Sequence, residues 1–200
     1  MITIYLAIDV QIQLHAPRIH ELHWNWIGKG LSIALGLAVV RIMRLSCAEI
    51  GLVLPRQNNW KWFVAGITIP VVLSIAVNTY FRGHNPFGLE TILYQASLPG
   101  IAEEFVYRGV LFGLLMRAYG SKEGASLGFT VITITTLPFG LSHGFPFGVI
   151  TFTFTWVFFL FALCLGCWLA IVRCCTKSIM IGVIAHNLAN VVGLWAGNIG

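Results

Sequence analysis

The chain has 200 residues, 58% of them hydrophobic and only 10% charged. A soluble domain carries about 25% charged residues, so this composition excludes one and points to an all-α, polytopic helical bundle in the lipid bilayer. The net charge of +5 does not imply nucleic acid, because Lys and Arg gather in short loops, where they set membrane topology.

Residues 1–25 contain Asp9, His15, Arg18, His20 and His23. They read as an N-terminal interfacial segment, too polar for a span or a cleavable signal. A bilayer-spanning helix needs about 20 mostly apolar residues, and six stretches within residues 26–200, the transmembrane domain, qualify. Residues 26–44 are interrupted only by Lys29, and residues 61–80 carry Pro70 as a kink. Residues 91–117 hold Glu103, Glu104 and Arg108. Residues 124–142 have Pro138 near their end, residues 148–172 are rich in Phe, and residues 178–198 contain His186. Cys164 and Cys167 lie in the fifth stretch, where they read as packing residues and not as a redox pair. Trp24, Trp26, Trp60 and Trp62 stand at span ends and read as interfacial anchors.

The basic residues test the count. Loops after the first, third and fifth spans, together with the start of the second, hold Arg41, Arg44, Arg56, Lys61, Arg117, Lys122, Arg173 and Lys177. The opposite side holds Arg18, Lys29 and Arg82. This asymmetry predicts that both termini face away from the cytoplasm, in a multi-pass protein of the plasma membrane.

Three spans carry polar groups that lipid does not tolerate without a purpose, since an intramembrane charge costs at least ~2.5–3.5 kcal/mol. Glu104 and Arg108 stand i,i+4 and can pair on a helix. Glu103 points about 100° away from Glu104 on a helix and shares a face with Tyr107. It has no partner at helical spacing, so an ion pair that fixes packing explains Glu104 and Arg108 but not Glu103. Phe139 and His143 share a face, as do His186 and Asn190. Each of these two pairs, taken alone, reads equally as a helix-end histidine or as interhelical polar glue.

In this order and on separate helices, E-E-x-x-x-R, F-x-x-x-H and H-x-x-x-N resemble the motifs of the CPBP (Abi) family of intramembrane proteases. That family includes the type II CAAX prenyl endopeptidases and bacteriocin-immunity proteins. The stretch "AEIGLVLPRQNNWKWF" also resembles the family's loop before its second core helix, so the likeness runs from about residue 45 to residue 200. The resemblance implies peptide-bond hydrolysis in a membrane-associated peptide or protein, with a prenylated CAAX-type sequence as one substrate class. Glu103 would act as general base on a water held with His143. His186 and Asn190 would donate to the developing oxyanion. Arg108 would anchor Glu104, and Phe139 and Tyr107 would line the substrate site. This reading needs no cofactor. A zinc ion on Glu103, His143 and His186 is the alternative, although Asn is a poor zinc ligand and no H-E-x-x-H is present. A scaffold, chaperone or immunity role is a different class of function. A proton-coupled transporter is a third, but no repeat-related halves are visible.

One geometric demand follows. His143 lies near the outer end of its span, whereas His186 lies only about 12 Å from the inner end of its own. A shared site therefore needs tilted or broken helices, with Pro99-Gly100 and Pro138 as the breaks.

Overall fold

The computed structural model describes residues 2–17, 19–20, 22–55, 60–81, 87–119, 125–145 and 154–199. Arg18, Arg56, Arg82, His84 and Lys122 fall outside the described residues. Every regular element among the described residues is helical. Helices α1 (Ile2–His15), α2 (Trp26–Met43), α3 (Trp60–Phe81) and α4 (Leu89–Gln95) come first. Helix α5 (Leu98–Glu103) runs without interruption into a π-helical segment (Glu104–Leu111) and α6 (Phe112–Tyr119). Helices α7 (Ala125–Gly144), α8 (Trp156–Thr176) and α9 (Met180–Asn198) complete the chain.

Helices α2, α3, α8 and α9 are each long and apolar enough to cross a membrane, and the chain is an integral membrane helical bundle. The expected span over residues 91–117 is not one helix. α4 stops at Gln95, the chain turns through Ala96 and Ser97, and α5 restarts with Pro99 in its first turn. Proline suits that position, because a first-turn N–H has no intrahelical acceptor in any case. The break foreseen at Pro99-Gly100 falls instead at Ala96 and Ser97, with Pro99 and Gly100 inside α5. Pro138 lies inside α7, which continues to Gly144, and Pro70 lies inside α3. α8 begins at Trp156, later than the expected residue 148; residues 146–153 are outside the described ones.

The bundle is built from close helix pairs, α3 on α9 and α7 on α8, with the α5–π–α6 rod against α2 and α9. Small residues allow the close approach, as is usual where lipid supplies no hydrophobic drive between helices. At Gly166 in α8 an added Cβ would stand 2.9 Å from the Phe139 ring and 2.7 Å from the Arg108 guanidinium.

One end of the bundle is closed by arginines on backbone carbonyls. Arg117 donates to Glu49 Oε1 at 2.7 Å and to the Arg44 carbonyl at 3.0 Å. The buried Arg173 donates from Nε to the Arg108 carbonyl at 3.2 Å and from Nη2 to the Glu49 carbonyl at 2.9 Å. Gly51 makes room for it at φ 71°, where a Cβ would lie 2.5 Å from the Arg173 Nε. The loop after α2 thus meets α6, α8 and the start of α9. Arg44, Arg117 and Arg173 meet at this end.

At the other end Trp24 and Trp26 do more than anchor an interface. Trp24 stacks on Tyr94 at 5.2 Å and donates to Thr91 Oγ1 at 3.0 Å. Trp26 donates to Glu90 Oε1 at 2.7 Å.

Arg173→Met removes the donors for the Arg108, Ala48 and Glu49 carbonyls while keeping an unbranched apolar stem. It is expected to cost about 2–3 kcal/mol of stability, the worth of hydrogen bonds from a charged donor. A thermal melt in detergent, wild type beside the variant, checks this.

Candidate active site

The site is assembled around the junction of α5 with the π-helical segment. Such i→i+5 stretches interrupt α-helices mostly at functional positions, and here all residues from Glu104 to Leu111 are buried. Glu104 and Arg108 are both inaccessible to solvent, with Arg108 Nη1 3.1 Å from Glu104 Oε1. The same Oε1 faces His186 Nδ1 at 3.1 Å. Gly182, one turn before His186, lets α9 come close: a Cβ there would stand 2.8 Å from Glu104 Oε2. The guanidinium of Arg108 lies 4.2 Å from the centre of the Phe139 ring, a cation–π contact. Phe139 also touches His143 (centroids 4.5 Å apart), Tyr107 (5.5 Å) and His186 (6.0 Å).

Glu103 points elsewhere. Its Oε1 accepts from Lys29 Nζ at 2.7 Å. Its Oε2 lies 3.7 Å from His143 Nε2 and 3.7 Å from His186 Nε2, with no hydrogen-bond partner of its own among the described residues. Both imidazoles therefore converge on one carboxylate oxygen. Glu103 has no partner at helical spacing, and its cation, Lys29, comes from a different helix. Sequence spacing could not show this, and Lys29 had been read only as a topology residue.

The ring orientations fix the tautomers. His143 Nδ1 is 2.8 Å from the Phe139 carbonyl. A carbonyl only accepts, so this nitrogen carries the hydrogen and Nε2 of the neutral ring is an acceptor. His186 Nδ1 likewise donates to the Glu104 carboxylate, leaving Nε2 as the acceptor. His186 can donate to an oxyanion from Nε2 only when both its nitrogens are protonated, which refines the role expected from the motif.

The axial mismatch between the two histidines resolves within the bundle. Both reach the same oxygen, so the end of α7 is level with the second turn of α9, and the chain leaves α7 at the height of the site. Glu103 reaches that height because its helix restarts at Leu98.

A cavity of about 340 Å³ opens on Glu103, lined also by Asp9, Gln13, Lys29, Tyr107 and His143. A second, of about 210 Å³, lies on the other side of His143 and is lined by Asn190, Asn78, Ser74 and Gln95. Trp24 and His143 wall both cavities. The structure thus brings Glu103, Glu104, Arg108, Tyr107, Phe139, His143 and His186 into one contact network. Asn190 lines the second cavity together with His143. Sequence reasoning missed Lys29 and Asp9. Their one signal was that each is an isolated charge in an otherwise apolar helix.

Among the described residues no group of three or more His, Cys, Asp or Glu side chains is arranged to hold an ion. The Lys29 ammonium also bonds the one carboxylate that the two imidazoles face.

The family model for Rce1-like type II CAAX prenyl endopeptidases matches residues 85–192, more than half of the chain. The chain belongs to this family. No curated protein and no solved structure matches it. The matched span contains Glu103, Glu104, Arg108, Phe139, His143, His186 and Asn190, and excludes α1 and α2.

Proposed function

We propose that this protein is an intramembrane endopeptidase that hydrolyses a peptide bond of a membrane-associated substrate by a metal-free, glutamate-based mechanism. The observation that carries this reading is the convergence of three acceptors, Glu103 Oε2 and the Nε2 atoms of His143 and His186. Such a set suits a molecule that offers protons, and water is that molecule in hydrolysis. A water held there gives one proton to Glu103 as its oxygen bonds to the scissile carbonyl carbon. His143 orients it through the second hydrogen. The Asn190 amide, which lines the second cavity with His143, donates to the oxyanion. The protonated Glu103 then delivers its proton to the leaving nitrogen as the C–N bond breaks.

Glu104 plays a different part. Its Oε1 is occupied by Arg108 and His186, so it holds His186 in one tautomer and compensates Arg108. Phe139 and Tyr107 wall the site.

A lipid-bearing substrate fits the surroundings. An apolar groove of about 390 Å³ runs between α2 and α9, lined by Ile33, Leu37, Ile101, Phe105, Val183 and Ile184. Ile101 and Phe105 flank the two glutamates in sequence, so a prenyl chain in the groove lies against the helix that carries the general base.

The basic end of the bundle faces the cytoplasm in this proposal, with both termini on the opposite side of the cell membrane. Cys47 is exposed in the loop at the basic end. It is expected to react with a membrane-impermeant maleimide in inverted vesicles and not in intact cells, with Cys47→Ser as the control. Labelling from the outside reverses the orientation.

The two glutamates are distinguished by substitution, with purified protein and fluorogenic peptides carrying a farnesylated or an unmodified CAAX sequence. Glu103→Gln is expected to lose at least about a hundredfold in turnover, the scale of a general base, while its melting temperature falls less than that of Glu104→Gln, because the Lys29 it leaves unpaired borders the cavity whereas Arg108 is fully buried. Glu104→Gln is expected to lower stability by roughly 3–5 kcal/mol, because it strands the buried Arg108. It should retain more turnover per folded molecule than Glu103→Gln. The farnesylated peptide should be the better substrate. A stable but inactive Glu104→Gln beside an unstable, active Glu103→Gln reverses the two roles.

Activity is expected to survive prolonged treatment with strong chelators. Loss of turnover restored by one equivalent of zinc per chain shows that Glu103, His143 and His186 bind metal after all.

A further inference from the structure

Lys29 lies in α2, outside the matched span, and the chemistry above does not use it. It is nevertheless built into the site. Its side chain is 14% exposed and bonds Glu103, itself 13% exposed, at 2.7 Å. It is the one charged residue of α2 before Arg41, and an ammonium inside a membrane helix is costly unless it has a partner and a purpose.

Its placement is determined from both sides. Asn25 caps α2 by accepting from the Gly28 N–H at 2.9 Å, and its Nδ2 donates to the Gln13 carbonyl at 3.2 Å. Gln13 in turn donates to Ser32 Oγ. These bonds tie the first two turns of α2 to α1 and set Lys29 at the cavity wall. Asp9 on α1 is 4% exposed, lines the same cavity and has no hydrogen-bond partner for Oδ1 among the described residues. Burial raises the pKa of its carboxyl, and the nearby charges of Lys29 and Glu103 act on it in opposite senses.

The two oxygens of Glu103 are thereby made unequal. Lys29 holds Oε1, and only Oε2 faces the imidazoles. A carboxylate free to turn about its last bond would present either oxygen at a range of angles. We propose that Lys29 is a positioning residue that fixes the Glu103 carboxylate with Oε2 toward His143 and His186, and that α1, through the bonds of Gln13 to Asn25 and to Ser32 of α2, supports it. This rests on the reading of Glu103 as the general base. Lys29 takes no proton and touches no reacting atom. Its effect falls on the geometry of the base, which is where small misplacements cost most.

The test measures kcat and KM per folded molecule for the full chain in liposomes, with the farnesylated peptide. The variants are Lys29→Met, Lys29→Gln, Lys29→Arg and Glu103→Gln. Lys29→Met and Lys29→Gln are expected to lower kcat at least about tenfold with KM changed by less than about twofold. Lys29→Arg, which keeps a cationic donor, should recover kcat to within about threefold of wild type. A purely structural ion pair predicts fewer folded molecules with an unchanged kcat per folded molecule, and that result overturns the proposal. A loss confined to KM also overturns it, by making Lys29 a substrate contact. Should Lys29→Met fail to fold, Lys29→Gln, which retains a hydrogen-bond donor, decides by the same criteria. An inactive Glu103→Gln beside fully active Lys29 variants refutes this inference alone. A fully active Glu103→Gln refutes the catalytic reading, and this inference with it.

Discussion

The structure depends on a carboxylate with no access to water. Glu104 is buried with Arg108 on one side and His186 on the other, both at 3.1 Å. An unpaired charge at this depth would cost several kcal/mol, so the three groups must stay together. That requirement locks the π-helical segment to α9 across a long stretch of sequence. Arg108 then needs a cover for its remaining surface, and the face of Phe139 supplies it. Phe139 in turn fixes the last two turns of α7, where its carbonyl orients His143. The catalytic histidines of the proposed mechanism are thus held by their Nδ1 atoms, each by a partner that belongs to this chain of contacts. Metal-free water activation and metal ligation both need imidazoles oriented in this way; Lys29 on Glu103 is what favours the first.

Adjacent glutamates in one helix look redundant, yet neighbours along the chain point in different directions. Glu104 turns into the protein interior, where both its charge and Oε1 are occupied. Glu103 turns toward the cavity, where one oxygen is bonded and the other faces two imidazole acceptors. The pairing of Glu104 with Arg108 persists although the segment is π-helical and not α-helical. The wider turn shifts the ladder partner to i+5, and the Arg108 carbonyl accepts from Arg173. The buried ion pair and the closed end of the bundle therefore meet at a single residue.

Much of this was legible in the sequence. Composition alone gave the membrane bundle, and the polar spacings gave Glu104 with Arg108, Phe139 with His143 and the two histidines as candidates. These could be read because helical periodicity is local and because lipid penalises every charge that lacks a partner. What was not legible was tertiary. Lys29 pairs with a residue 74 positions away, and no spacing rule reaches that far. Its charge had a sufficient explanation in topology, which hid the second one. Nor was the height of α7 readable. Hydropathy marks how long an apolar stretch is, not where in the bundle its helix ends, so His143 was placed at the outer end of a span instead of level with the second turn of α9. An interruption was foreseen only as a need of the geometry, and it falls at Ala96 and Ser97, before Pro99-Gly100.

The division between matched and unmatched residues has a physical meaning. The matched span supplies the two carboxylates, the arginine and both imidazoles, and these carry two negative charges against one fixed positive charge. In a low-dielectric site that imbalance is expensive. The compensating cation comes from α2, outside the span, and a third acid, Asp9, comes from α1, where burial raises its pKa and disfavours its charged form. A spare lysine on α2 is enough to neutralise Glu103, and its height is set by one cap, Asn25, bonded to α1. Because charge balance can be met from any neighbouring helix while the reacting groups cannot be moved, the counter-charge is the part of such a site that sequence motifs record least.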